Sequence, residues 1–216
     1  MDFDPSRLLR KATGRAKSDV ANKLVSMLLH ELSRRITLRS GLSVNGEVYS
    51  RLATEFFGQN CPYCGRGLVA RHVAVEHLDG MNRRRAGLHI PGNVVLSCSD
   101  CNREKRRDDQ AVELKLAESG WESFLSHDST RCVQSCKSCD YWASLFPDPA
   151  TRAKHLALSR ERILEFRRTP AIAAAIEASL EAQGSVKNVL ESFYREGQLY
   201  AQTKIAELAE SVLTVR

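Results

Sequence analysis

Nowhere in these 216 residues is there an apolar run long enough to cross a bilayer, so no membrane partner is expected. The chain opens without an apolar leader, which makes a reducing, cytoplasmic setting the expectation and disulfides the weaker use of its cysteines. It lacks internal repeats and low-complexity tracts, leaving a globular chain of one embellished domain or two small ones, and its 43% hydrophobic content agrees. A net positive charge is missing from the second half. Residues 110–216 carry 13 Lys/Arg against 14 Asp/Glu, whereas residues 1–60 carry ten against six and residues 61–109 nine against six. Lysine and arginine are what meet phosphates, so the first half is the expected nucleic-acid surface. The second half also lacks any catalytic constellation, and its alanine- and leucine-rich stretches suit packing, a homodimer interface or a partner surface.

What is present is concentrated between Cys61 and Arg107. Cys61 and Cys64 form one CxxC, and Cys98 and Cys101 a second. Thiolates offered as two pairs suit a closed, tetrahedral, structural zinc site, and the neighbouring Pro62, Gly65 and Gly67 favour the tight turn of a metal knuckle. Thirty-three residues separate the pairs, longer than a simple ribbon loop. A β-hairpin fits the gap: His72 to Leu78 and Asn93 to Ser97 read as strands, with turn signals at Asp79-Gly80, Gly87 and Pro91-Gly92 between them. Ser99 or Asp100 then caps a helix running through the basic stretch toward Gly120.

Within that order, Glu76-His77, Asn93, and Asn102 directly after the second CxxC resemble the signature of the HNH endonucleases, over about residues 60 to 108. The resemblance implies an α+β fold: a ββα-metal core stapled by the four-cysteine zinc site, flanked by N-terminal helices and a mostly helical C-terminal region. It implies His77 as general base, Asn93 as the residue holding the loop that orients it, and Glu76 and Asn102 as ligands of a catalytic Mg2+ or Mn2+. Glu stands where Asp is commoner in that family, and Asn where the last His is commoner.

Elementary chemistry supports the same roles. Phosphodiester hydrolysis needs a base for the attacking water, which imidazole supplies near neutral pH. It also needs positive charge beside the phosphate, which a divalent ion on hard oxygen ligands supplies. Neighbours on a regular strand point to opposite faces, so Glu76 and His77 serve one site only where the strand bends or ends, and Leu78-Asp79-Gly80 offers that ending. On the helix, Asn102, Lys105 and Arg106 share a face, and Arg103 and Arg107 broaden it. Arg83, Arg84 and Arg85 in the hairpin loop are further candidates for DNA contact, although charge runs are commonly solvated faces.

The expected division is an N-terminal helical region at 1–58, the nuclease core at 59–120 and the C-terminal region at 121–216. Val20, Leu24, Met27, Leu28 and Leu32 recur at helical spacing with Gly41 as a stop; Asn45 then caps a second helix carrying Val48, Leu52, Phe56 and Phe57 and ending at Gly58. Trp121, Phe124 and Leu125 anchor the end of the core. Asp148-Pro149, Thr169-Pro170 and Gly184-Ser185 are expected helix starts, with Leu190, Phe193, Leu199, Ile205, Leu208 and Val212 as later apolar positions. Cys132, Cys136 and Cys139 form a second zinc site with His127 or His155, or stand as plain buried cysteines. His30, His72 and His89 are expected to be structural or solvent-facing. Two function classes follow: a metal-dependent DNA endonuclease, of restriction, defence or mobile-element type, and a zinc-stapled nucleic-acid binding module without catalysis; cleavage of RNA or branched DNA by the same chemistry is a third reading.

Overall fold

The computed structural model describes residues 5–111, 119–129, 132 and 136–213, with side chains from residue 17 onward and, in the first of these stretches, as far as residue 106. The chain is mostly helical. Helix α1 (Pro5–Ser40) is followed by α2 (Glu47–Phe57), the strands β1 (Val73–His77) and β2 (Val94–Cys98), and α3 (Ser99–Ala111). Helices α4 (Gly120–Leu125), α5 (Lys137–Leu145), α6 (Pro149–Arg168) and α7 (Pro170–Leu213) complete it. The strands form a two-stranded antiparallel sheet pairing Val73 with Cys98 and His77 with Val94. Both expected strands are present, and β2 starts and ends one residue later than the sequence suggests.

Local chemistry explains most boundaries. Helix α1 ends at Ser40, where Gly41 takes φ +70° and its N–H reaches back to the Thr37 carbonyl. Gly58 closes α2 in the same way with φ +61°, bonding Thr54. Asp148 caps α6, accepting from the Thr151 N–H at 2.7 Å with Pro149 in the first turn, and Thr169 separates α6 from Pro170 of α7. Two expectations need correcting. The residue capping α2 is Gly46, while Asn45 bonds the Ser43 hydroxyl through its own N–H. The break expected at Gly184-Ser185 is absent, and α7 runs through it. A mid-helix glycine costs about 1 kcal/mol, and burial of Ile172, Ala175, Val186 and Leu190 along the same helix outweighs that.

Two apolar clusters hold the elements together. The larger joins Tyr49 and Phe57 of α2, Tyr63, Leu78 and Val95 of the hairpin region, Trp121 and Phe124 of α4, Trp142 of α5, Ile163 and Phe166 of α6, and Ile172 of α7. The second seats the loop between the strands, through Ala86, Leu88 and Ile90, between α1 and α7. The buried stripe of α1 is Ala21, Val25, Leu29 and Ile36, one residue round from the expected face, so Val20 and Met27 are exposed. Likewise Tyr49, not Val48, is the buried residue at the start of α2; its hydroxyl donates to the Val94 carbonyl and accepts from the Gly92 N–H. Leu199, Ile205, Leu208 and Val212 of α7 are exposed among the described residues.

The 16-residue loop from Leu78 to Asn93 crosses over itself at Gly87, whose N–H donates to the Gly80 carbonyl at 3.0 Å. A Cβ at Gly87 would lie 1.8 Å from the Asp79 carbonyl oxygen, so no side chain fits without moving backbone. Gly87→Ala is expected to destabilise the zinc-loaded protein by about 2 kcal/mol or more. Gly41→Ala, where φ is positive but the space is open, is expected to cost only about 1 kcal/mol. Urea unfolding of the two variants checks the order.

Candidate functional site

The four cysteines of the paired knuckles converge. Cys61 and Cys64 lie in a turn closed by the Gly65 N–H on the Cys61 carbonyl and the Cys61 N–H on the Arg66 carbonyl. Cys98 ends β2 and Cys101 sits in the first turn of α3. All four Sγ atoms fall within 4.8 Å of one another, and Cys64 and Cys98 are 3.7 Å apart. A tetrahedron with Zn–S bonds of about 2.3 Å has S···S edges of about 3.8 Å, so the donor set and its spacing fit zinc. A second cluster joins His127, Cys132, Cys136 and Cys139, with His127 Nδ1 at 3.3 Å, 3.2 Å and 3.9 Å from the three sulfurs in that order. Those separations bracket the roughly 3.6 Å expected between N and S on one zinc. The choice left open by sequence falls on His127: His155 bonds the Tyr63 carbonyl at 2.9 Å and stacks on Phe146. Both clusters are candidate structural zinc sites.

Between the hairpin, the loop and α3 lies a cleft of about 590 Å³, lined by Glu76, His77, Asn102, Lys105 and Arg106 together with Gly80, Arg83 and Arg84. Glu76, His77 and Asn102, singled out by sequence, thus meet on one cavity. Asn93 lies behind it, 4% exposed, with all three of its side-chain bonds on the loop: Oδ1 accepts from the Asp79 N–H at 2.8 Å, and Nδ2 donates to the carbonyls of Asp79 and Leu88. An amide with a donor and an acceptor on one short stem suits this work, because it ties both ends of the loop at once.

Glu76 and His77 both border the cleft, but their side chains take different partners. Glu76, 2% exposed, turns toward α3, where Lys105 Nζ lies 2.8 Å from its carboxylate and the Tyr63 hydroxyl donates to the same oxygen at 3.3 Å. Lys105 also donates to the His77 carbonyl at 2.9 Å. The His77 ring meets His89, Nε2 to Nδ1 at 3.0 Å. Burial, with the positive fields of His89 and Lys105 behind it, pulls the His77 pKa down to about 3, so the ring is neutral at physiological pH. His89 is lowered in the same direction, by burial and by His30.

Several expected phosphate contacts are otherwise engaged. Lys105 is 1% exposed, turned inward onto Glu76 instead of outward with Arg106. Arg85 is buried at 6% exposure. Arg83 pairs with Glu191 of α7 at 2.8 Å and lies over the Tyr194 ring at 4.0 Å. Arg103 is exposed but pairs with Asp100 and Glu104. Arg84 and Arg106 line the cleft wall. The side chain of Arg107 lies outside the described residues. Sequence reasoning gave no role to Tyr63 and read His89 as structural or solvent-facing. It also missed Asp79, which accepts from the Gly120 N–H and pairs with Arg167 of α6. Nothing local in the sequence marks these partners, since each pairing bridges more than ten residues.

No protein-family model, curated protein or solved structure matches this chain.

The clusters and the buried pair are open to direct test. Purified protein is expected to carry two zinc ions per chain; Cys98→Ser loses one and the hairpin's circular dichroism signal with it, whereas Cys136→Ser loses one and keeps that signal. Metal analysis beside spectroscopy checks both. Lys105→Met strands a buried carboxylate and is expected to destabilise by about 3–5 kcal/mol, while Glu76→Leu with Lys105→Met recovers most of that loss. Urea melts of the zinc-loaded variants read the difference.

Proposed function

We propose that the chain is a metal-dependent DNA endonuclease of the HNH type, hydrolysing phosphodiester bonds in the cleft beside α3. The observation that carries the reading is the meeting of Glu76, His77 and Asn102 on one cavity, with Asn93 tying the loop that follows His77. His77 is the base: burial keeps its imidazole neutral, the form that can take a water proton. A phosphate entering the cleft adds negative charge that favours the imidazolium and strengthens the base during reaction. Arg84 and Arg106, on the cleft wall, grip the phosphodiester backbone.

Glu76 and Asn102 offer a carboxylate and an amide oxygen to the same cavity, and that hard-oxygen donor set fits Mg2+ or Mn2+. Bound there, such an ion supplies positive charge to the scissile phosphate and the leaving oxygen. Lys105 neutralises Glu76 until then, so metal affinity is expected to be low without DNA and to rise when the substrate completes the coordination shell. The zinc clusters hold the scaffold and take no part in the chemistry.

Cleavage of supercoiled plasmid by zinc-loaded protein tests the reading. Wild type with magnesium or manganese is expected to cut, and a chelator dose that spares zinc abolishes the cutting. His77→Ala is expected to lose about 100-fold or more of the rate, and Asn102→Ala to raise the metal concentration needed. Discrete fragments mean a site-specific enzyme of the restriction or mobile-element kind, and a smear means nonspecific cutting. Failure to cut plasmid, branched DNA or RNA, with retained binding to any of them, makes the chain a zinc-stapled binding module instead.

A further inference from the structure

We infer that His89 is a positioning residue for the candidate base: its Nδ1 accepts the Nε2–H of His77, fixing the tautomer that leaves the His77 Nδ1 lone pair free. This rests on the reading of His77 as base and adds a residue and a proton position to it.

The two ring nitrogens are 3.0 Å apart, and the rings are tilted with centroids 5.2 Å apart, a hydrogen-bonded pair and not a stack. Only two neutral arrangements satisfy that bond. With the proton on His77 Nδ1, its Nε2 lone pair is consumed in accepting from His89, and the ring has no free lone pair for water. With the proton on His77 Nε2, that nitrogen donates to His89 and the opposite nitrogen keeps its lone pair. A base in this ring requires the second arrangement, with His89 carrying its own proton on Nε2.

His89 is itself held by the backbone on both sides. Its N–H donates to the Ser33 hydroxyl at 2.8 Å, and Ser33, buried in α1, donates its own proton to the Leu29 carbonyl at 2.6 Å. The preceding carbonyl, Leu88, accepts from Asn93 at 2.8 Å. Leu88 and Ile90 on either side are buried at 0% and 2% exposure between α1 and α7. Asn93 thus ties Asp79, two residues beyond the base, and Leu88, one residue before its ring partner. The N-terminal helix gains a role it lacked in sequence: it fixes the residue that aims His77.

Long-range 15N–1H spectra of the full-length, zinc-loaded protein with labelled histidine report the His77 tautomer without any need for activity. The Nε2–H form in wild type is expected, and an Nδ1–H form overturns the inference. His89→Asn puts an amide oxygen near the Nδ1 position and is expected to keep the Nε2–H tautomer, with kcat for plasmid cleavage within about threefold of wild type. His89→Phe keeps a ring but no acceptor, and kcat is expected to fall about 10- to 100-fold with KM unchanged. Wild-type kcat in His89→Phe overturns the assignment, as does an equal loss in both variants. If wild type cuts no substrate, the nuclease reading fails while the tautomer still decides whether His89 accepts from His77.

Discussion

The convergence of two CxxC pairs on one tetrahedral volume is the constraint on which the rest of the site depends. A two-stranded sheet of five-residue strands is not stable alone. Here its second strand ends on one cluster cysteine and the following helix begins around another, so strand and helix meet at a fixed angle set by four thiolates. Asn102 follows Cys101 directly, and Lys105 lies one turn further along α3. Their places on the cleft are therefore consequences of the cluster's position. Binding free energy at such a cluster is folding free energy, because the unfolded chain offers no preformed site.

On that scaffold, polar groups are buried or half-buried and satisfied in pairs. Lys105 answers Glu76, Asn93 answers the backbone of the loop, His89 answers His77 and Arg167 answers Asp79. Removing Lys105 from beside Glu76 leaves a desolvated carboxylate, so that pair is strongly coupled although its net contribution to stability is small. The outcome is a cleft whose lining charges are mostly paired. Arg83 illustrates this: held by Glu191 and Tyr194, it ties the loop to α7.

Much of this was legible in the residues. The knuckle spacing, the hairpin, the cap at Asp148 and the helix start at Pro170 follow from local chemistry, and local chemistry is what a sequence displays. The grouping of Glu76, His77 and Asn102 was legible because motif order survives in one dimension. Side-chain direction was less so. Lys105 shares a helical face with Asn102 and Arg106 by spacing, yet the buried carboxylate of Glu76 on β1 draws it inward. Val20 and Met27 fit an apolar stripe, but the packing of α1 against α7 and the loop selects the stripe one residue round. Gly184 carries a break signal that neighbouring burial overrides. His89 lacked any local mark, because its meaning comes from a ring twelve residues away and a serine on α1.

Central to the proposed chemistry is a divalent ion seated on Glu76 and Asn102, taking over the carboxylate that Lys105 neutralises. Crystals of the zinc-loaded protein with a short DNA duplex and manganese, measured for anomalous scattering at the manganese edge, test this most directly. A manganese peak in contact with Glu76, Asn102 and a phosphate oxygen, with the Lys105 ammonium withdrawn from the carboxylate, is the expected result. A duplex bound in the cleft with Lys105 still on Glu76 and no manganese peak there would contradict it.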